Sequence, residues 1–159
     1  DHGIGLPSCL ELRLDPSLKM RHLVIDTAPP GGSWHSMHDA TKTISPGPWM
    51  EFPSYPLDAF LRQRTPTLSS RQAAESAAVL QQRSIIAEYY VAMAERFGIA
   101  QHHRPWRVSA VHREIEGGPA GLWRVEFDGR PALRARALVL AVGTSTTPLR
   151  LGIPGEERQ

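Results

Sequence analysis

Two glycine turns hold most of the chemistry that this sequence could perform. The first is Gly31-Gly32-Ser33-Trp34, shortly after Asp26; the second is Gly143-Thr144, directly after an apolar run at 137–142. Consecutive glycines leave backbone amides unobstructed by side chains, so such a turn can approach a ribose or a pyrophosphate. The indole beside it can cover an aromatic ring system. Asp26 closes the apolar run Leu23-Val24-Ile25, the place where dinucleotide-binding folds hold an acid that accepts hydrogen bonds from ribose hydroxyls. From the residues alone, an ordinary turn with a core tryptophan, and an aspartate that caps its own loop, fit these positions as well.

Other constellations fall short of a site. His35 and His38 have a spacing compatible with a helical metal pair, and His102-His103 add two more rings, but no carboxylate or thiol pattern completes a ligand set. Ser33 and Ser36 are not part of a G-x-S-x-G elbow, so they make no hydrolase nucleophile. Gly3-Ile4-Gly5-Leu6-Pro7-Ser8 imitates a phosphate-binding glycine fingerprint. No strand precedes it, Pro7 lies inside it and Pro16 would interrupt the helix that should follow, so it is rejected.

Composition narrows the class further. With 159 residues, 41% of them hydrophobic, the chain can build one modest domain with one core. The run at 137–142 is far shorter than the roughly 20 apolar residues that a spanning helix needs, so no transmembrane segment is expected. The opening residues lack the basic start and apolar stretch of a signal peptide. The single cysteine, Cys9, reads as a small buried apolar residue and points to a reducing, cytoplasmic setting. Lys and Arg total 18 against 16 Asp and Glu, a formal charge of +2, and the basic residues are spread out with no aromatic interleaving, which argues against a nucleic-acid partner.

These turns must be positioned by elements that the sequence also suggests. Residues 9–14 alternate apolar and polar as a short strand does, and Leu23-Val24-Ile25 reads as a buried strand entering the first glycine turn. Five prolines among Trp49, Phe52, Tyr55 and Phe60 predict an irregular, packed excursion over 45–67, with one short helix near 57–64. Residues 69–97 have helix-forming composition, with Ile85, Tyr89, Met93 and Phe97 four apart and Gly98 placed as a C-cap, so a helix ends at Phe97. The period then drops to 2 around Trp106, Val108 and Ala110 and again around Trp123, Val125 and Phe127. With the Asp128-Gly129 hairpin signal and a third strand near 133–136, this predicts a three-stranded antiparallel meander. The apolar run at 137–142 then reads as a strand buried on both faces.

The order strand, glycine loop, helix, meander, buried strand, glycine is that of the later part of a flavoprotein dinucleotide-binding domain. Pro30-Gly31-Gly32-Ser33-Trp34-His35-Ser36-Met37, followed by Pro48-Trp49-Met50, resembles the oxidative stress-induced growth inhibitor family, relatives of flavin-containing monooxygenases. Roughly residues 23–154 share the resemblance. It implies an α/β class: a partial Rossmann-like FAD-binding domain with a three-stranded antiparallel β-meander, its N-terminal GxGxxG unit missing. Both ends look cut, so the expectation is a fragment. It divides as sheet, glycine loop and helices over 22–105, meander over 106–136, and last FAD-domain strand with exit linker over 137–159.

By the same resemblance Asp26, Gly31, Gly32, Ser33, Trp34, Val108, Gly143 and Thr144 are the expected cofactor contacts, Val108 by its position on the first meander strand. Val142 replaces the threonine usual in the Ala-Thr-Gly signature, which removes that hydroxyl. FAD is the implied cofactor, with NADPH in the complete protein, and the implied activity is a monooxygenase-like oxidoreductase that passes one oxygen to a soft nucleophile. No residue suggests itself as catalytic acid or base, and the fragment alone is expected to be inactive. The other reading is a non-catalytic regulatory protein on a flavoprotein scaffold, which acts through protein partners to restrain growth or promote cell death under oxidative stress.

Overall fold

A computed structural model describes residues 15, 17, 20–114, 121–143 and 152–155. Residues 9–14, the glycine-rich start and Thr144 lie outside that set. The chain is a mixed helix and sheet structure, and its interior forms where three helices meet a proline-rich loop.

The first helix, α1 (Leu57–Arg64), begins behind Pro56, and the Glu51 carboxylate takes the Leu57 amide at 2.9 Å, satisfying one of the four orphan donors of a helix start. The second, α2 (Ser70–Ala77), opens with a capping box in which Ser69 and Gln72 satisfy each other's backbone amides. The third, α3 (Arg83–Arg96), stops at Phe97, and Gly98 follows with φ of 68°, a left-handed turn that glycine adopts without Cβ strain.

Four small elements frame the helices. Strand β1 (Val24–Ile25) leads into a 3₁₀ turn at Gly32–His35, and β2 (Lys42–Pro46) into another at Gly47–Trp49. Strand β3 (Leu80–Gln82) pairs antiparallel with β2, and β4 (His103–Arg104) pairs parallel with β1. Among the described residues, the last regular elements are β5 (Val108–Glu114), β6 (Leu122–Phe127) and β7 (Arg130–Ala135), an antiparallel meander in the order β5-β6-β7. Its second hairpin turns at Asp128-Gly129, where Gly129 has φ of 66°. Val125 and Phe127 are buried beneath it, and Trp106 meets Phe127 edge-on at 5.2 Å.

The main core holds Tyr55, Leu57, Phe60, Leu61, Ala73, Ala77 and Tyr89. Tyr89 is its hub. Fully buried on α3, it stacks on Tyr55 at 5.4 Å and meets Phe60 edge-on at 5.5 Å. Its hydroxyl donates to the Tyr55 carbonyl and accepts from the Phe52 amide, both at 2.6 Å. One phenol thereby fixes the proline-rich loop onto the helix. Gly47 closes the other side, since a Cβ there would stand 2.2 Å from the Ala77 carbonyl oxygen and 2.5 Å from Leu57 Cδ2.

Several expectations change. The helical stretch at 69–97 is broken at 78–82. Gln81 is buried, and its amide group donates to the carbonyls of Ser76, Ala77 and Val79 at the end of α2, while its backbone N–H donates to Thr43 Oγ1 at 2.9 Å. Tertiary pairing with β2 outweighs local helix propensity there. The buried strand expected at Leu23-Val24-Ile25 is two residues long, and Leu23 and Val24 are exposed. Residues 137–143 form no strand, and Val139, Leu140 and Val142 are 87%, 71% and 78% exposed. An apolar strand persists only where neighbours take its backbone groups, and the described residues offer it none. Among the described residues there are three small sheets in place of one continuous one.

Burial raises the pKa of the Tyr55, Tyr89 and Tyr90 hydroxyls above the usual tyrosine value. A raised folded-state pKa means that the neutral form contributes stability below the ordinary value of about 10, and that this is lost as pH rises through the folded value. Tyr89→Phe is expected to lower stability at neutral pH by about 1–3 kcal/mol, because the Phe52 amide and Tyr55 carbonyl lose their partner. It should also make the alkaline loss shallower. Urea unfolding across pH checks both; unchanged neutral stability would contradict the role given to this phenol.

Candidate functional site

The site is assembled where β1 ends. Asp26 donates its backbone N–H to the Arg104 carbonyl at 3.2 Å, which extends the parallel pairing with β4. Its carboxylate Oδ1 accepts the Ala28 amide at 2.9 Å, turning the chain towards the two prolines. The turn closes through Gly32 N–H to the Pro29 carbonyl at 3.0 Å and Trp34 N–H to the Gly31 carbonyl at 3.1 Å. Gly31 and Gly32 have φ of 109° and 50°, conformations that side chains rarely adopt.

The two glycines do different work. A Cβ on Gly31 would meet His35 Nε2 at 3.1 Å, Tyr90 Cβ at 3.4 Å and the Ala87 carbonyl oxygen at 3.5 Å, so this glycine lets the turn sit directly on α3. A Cβ on Gly32 would meet only Asp26 Oδ2, at 3.7 Å. Gly32 therefore lies beside the second oxygen of the aspartate, with room for an ordinary contact and no more. Ser33 is exposed beside it and Trp34 is half-buried.

The histidines and one arginine hold this turn from behind. His35 Nε2 lies 2.9 Å from the Pro30 carbonyl, and because a carbonyl only accepts, that nitrogen carries the proton. His38 Nδ1 accepts the Ala40 amide at 3.2 Å, so these two rings serve the loop. Arg83, first residue of α3, donates to the carbonyls of Trp34 and His35, both at 3.3 Å, and pairs with Asp39. That hydrogen-bonded pair holds the Asp39 carboxyl below the usual aspartate range. Among the described residues no group of three or more His, Cys, Asp or Glu could hold a metal ion, and no helix is long and apolar enough to cross a membrane.

Of the expected contacts, Asp26, Gly31, Gly32, Ser33 and Trp34 come together. Val108 stands at the start of β5, paired with Phe127 and 41% exposed. Gly143 has φ of 67° and nothing within 4 Å of a Cβ built on it. No hydrogen bond or strand pairing among the described residues ties either of them to the turn. The amides of Gly32 and Trp34, expected to be free, are engaged within the turn itself. Arg83 carried no motif in the sequence, where it falls inside the helical stretch read at 69–97.

Removing the freedom of the two glycines should have unequal consequences. Gly31→Ala is expected to lower stability more than Gly32→Ala, by about 1–2 kcal/mol, since both strain the backbone but only the first also crowds the His35 ring that holds the Pro30 carbonyl. Equal urea midpoints would contradict this division.

Comparison with known proteins places this chain beside one group. It is 30% identical over 98% of its length to oxidative stress-induced growth inhibitor 1 of Mus musculus, covering 34% of that protein. It is 32% identical over 99% of its length to oxidative stress-induced growth inhibitor 2 of Homo sapiens, covering 36%. A Caenorhabditis elegans protein named as an oxidative stress induced growth inhibitor homolog is 26% identical over 99% of the chain. The chain thus spans about a third of the length of these relatives. No family model matches it, and no solved structure matches it. Similarity along nearly its whole length relates this chain to the oxidative stress-induced growth inhibitors.

Proposed function

We propose that the chain is the ribose-reading part of an FAD-binding region in a member of the oxidative stress-induced growth inhibitor family, and that the full protein is an NADPH-linked, monooxygenase-like oxidoreductase. The observation that carries this reading is the juxtaposition of the Asp26 carboxylate with Gly32 at the C-terminal end of a strand in a parallel pair. Open parallel sheets take their ligands beyond such strand ends. Asp26 would accept ribose hydroxyls, Ser33 would donate to a phosphate oxygen, and Trp34 would shield an aromatic ring. When bound, FAD supplies hydride acceptance and oxygen activation, the chemistry for which side chains have no equivalent. Gly143 and Thr144 belong to this reading only if residues 137–142 gain a strand neighbour in the longer protein.

The regulatory alternative, a flavoprotein scaffold that restrains growth through partners, is favoured by a specific observation. Gly32 and Trp34 turn their amides inward, leaving fewer donors for a pyrophosphate than a phosphate-binding turn usually offers. The names of the relatives speak of growth inhibition under oxidative stress. FAD titrated into the full-length protein separates the two. The expected result is one saturable site whose affinity falls about tenfold in Asp26→Asn, the loss of roughly one net hydrogen bond to a charged group. NADPH added without oxygen should then bleach the flavin. A protein that binds no FAD yet arrests growth would establish the regulatory reading.

A further inference from the structure

We infer that Arg83 is the positioning residue of this site, fixing the glycine turn and the Trp34 ring for ligand from the far side of the backbone. The inference rests on the flavin reading above but concerns a residue outside the resemblance motif.

One residue holds both ends of the loop that follows the turn. The Arg83 guanidinium donates to the Trp34 and His35 carbonyls at 3.3 Å, where the 3₁₀ turn finishes. The Arg83 backbone N–H donates to the Thr41 carbonyl at 2.9 Å, where β2 is about to begin. Asp39, inside the loop, pairs with the same guanidinium. The side chain is only 20% exposed, and its Nε is buried without a partner.

The planar fork serves two sides at once, Nη1 on the Trp34 and His35 carbonyls and Nη2 on Asp39, a spread that the compact ammonium of a lysine does not reproduce. Drawing these two carbonyls inward sets the orientation of the Trp34 peptide. The ring leaves the Cα beside that peptide, so Arg83 fixes the base from which it extends towards a ligand. A site held ready in this way loses less ordering entropy on binding. The Asp39 partner, 88% exposed, adds little by itself.

The test compares wild type, Arg83→Lys and Arg83→Gln in the full-length protein by FAD titration, with affinity expressed per folded molecule. Affinity should fall in the order wild type, Lys, Gln, with Gln about tenfold weaker, while Asp39→Asn stays within about twofold. A purely structural role would lower the folded fraction and leave the affinity of folded molecules unchanged, and that outcome would overturn the inference. A wild-type protein without FAD affinity would overturn the flavin reading and this one together; wild-type binding retained fully in Arg83→Gln would overturn this one alone. Should Arg83→Gln not fold, Arg83→Lys gives an independent readout without FAD. Amide hydrogen exchange should quicken about tenfold at Ser36 and Met37 relative to the α3 core. Unchanged exchange there would refute the bracing role.

Discussion

Direct contact between α3 and the glycine turn is the constraint on which the rest of the structure depends. Gly31 lies against Ala87 and Tyr90 with a φ of 109° that side chains rarely adopt, and Arg83 on the same helix grips the carbonyls at the turn's other end. A neighbouring face of α3 carries Tyr89 into the core, where its hydroxyl fastens Phe52 and Tyr55. Core and candidate site are therefore two faces of one helix. A shift of α3 that loosens the packing around Tyr89 would also move the turn.

At the turn, side chains are left more available than backbone amides. Asp26 is exposed with one oxygen engaged by Ala28 and the other directed to Gly32, and Ser33 is exposed beside it. The meander has a different character. Its outer face carries ion pairs of Arg124 and Arg134 with Glu114 and of Arg124 with Glu126, a solvated surface that neutralises itself. The exposed apolar residues Leu23, Val24, Val139, Leu140 and Val142 lie on the segments from which a larger sheet was expected. The relatives are about three times longer than the matched region, so a longer chain has material for that sheet.

Local rules made much of the fold legible. The helix at 57–64, the C-cap at Gly98 and all three meander strands follow from periodicity, turn chemistry and glycine placement, which act within a few residues. What escaped was decided at long range. The break between α2 and α3 depends on Gln81 meeting Thr43, 38 positions away, and no breaker residue announces it. The strand at 137–142 had the right composition but lacks a neighbour, and composition cannot supply one. At the candidate site, the turns after Asp26 were legible because aspartate, proline and glycine favour turns; the contacts of Arg83 were not, because nothing local brings residue 83 to the carbonyls of Trp34 and His35.

Mapping amide chemical shifts while FAD is added to the full-length protein tests the central claim most directly. The account predicts that the largest changes cluster at Asp26 and at Gly31, Gly32, Ser33 and Trp34, with Arg124, Ala132 and Arg134 on the meander face unmoved. Shifts confined to the meander, or none at saturating FAD, would contradict it.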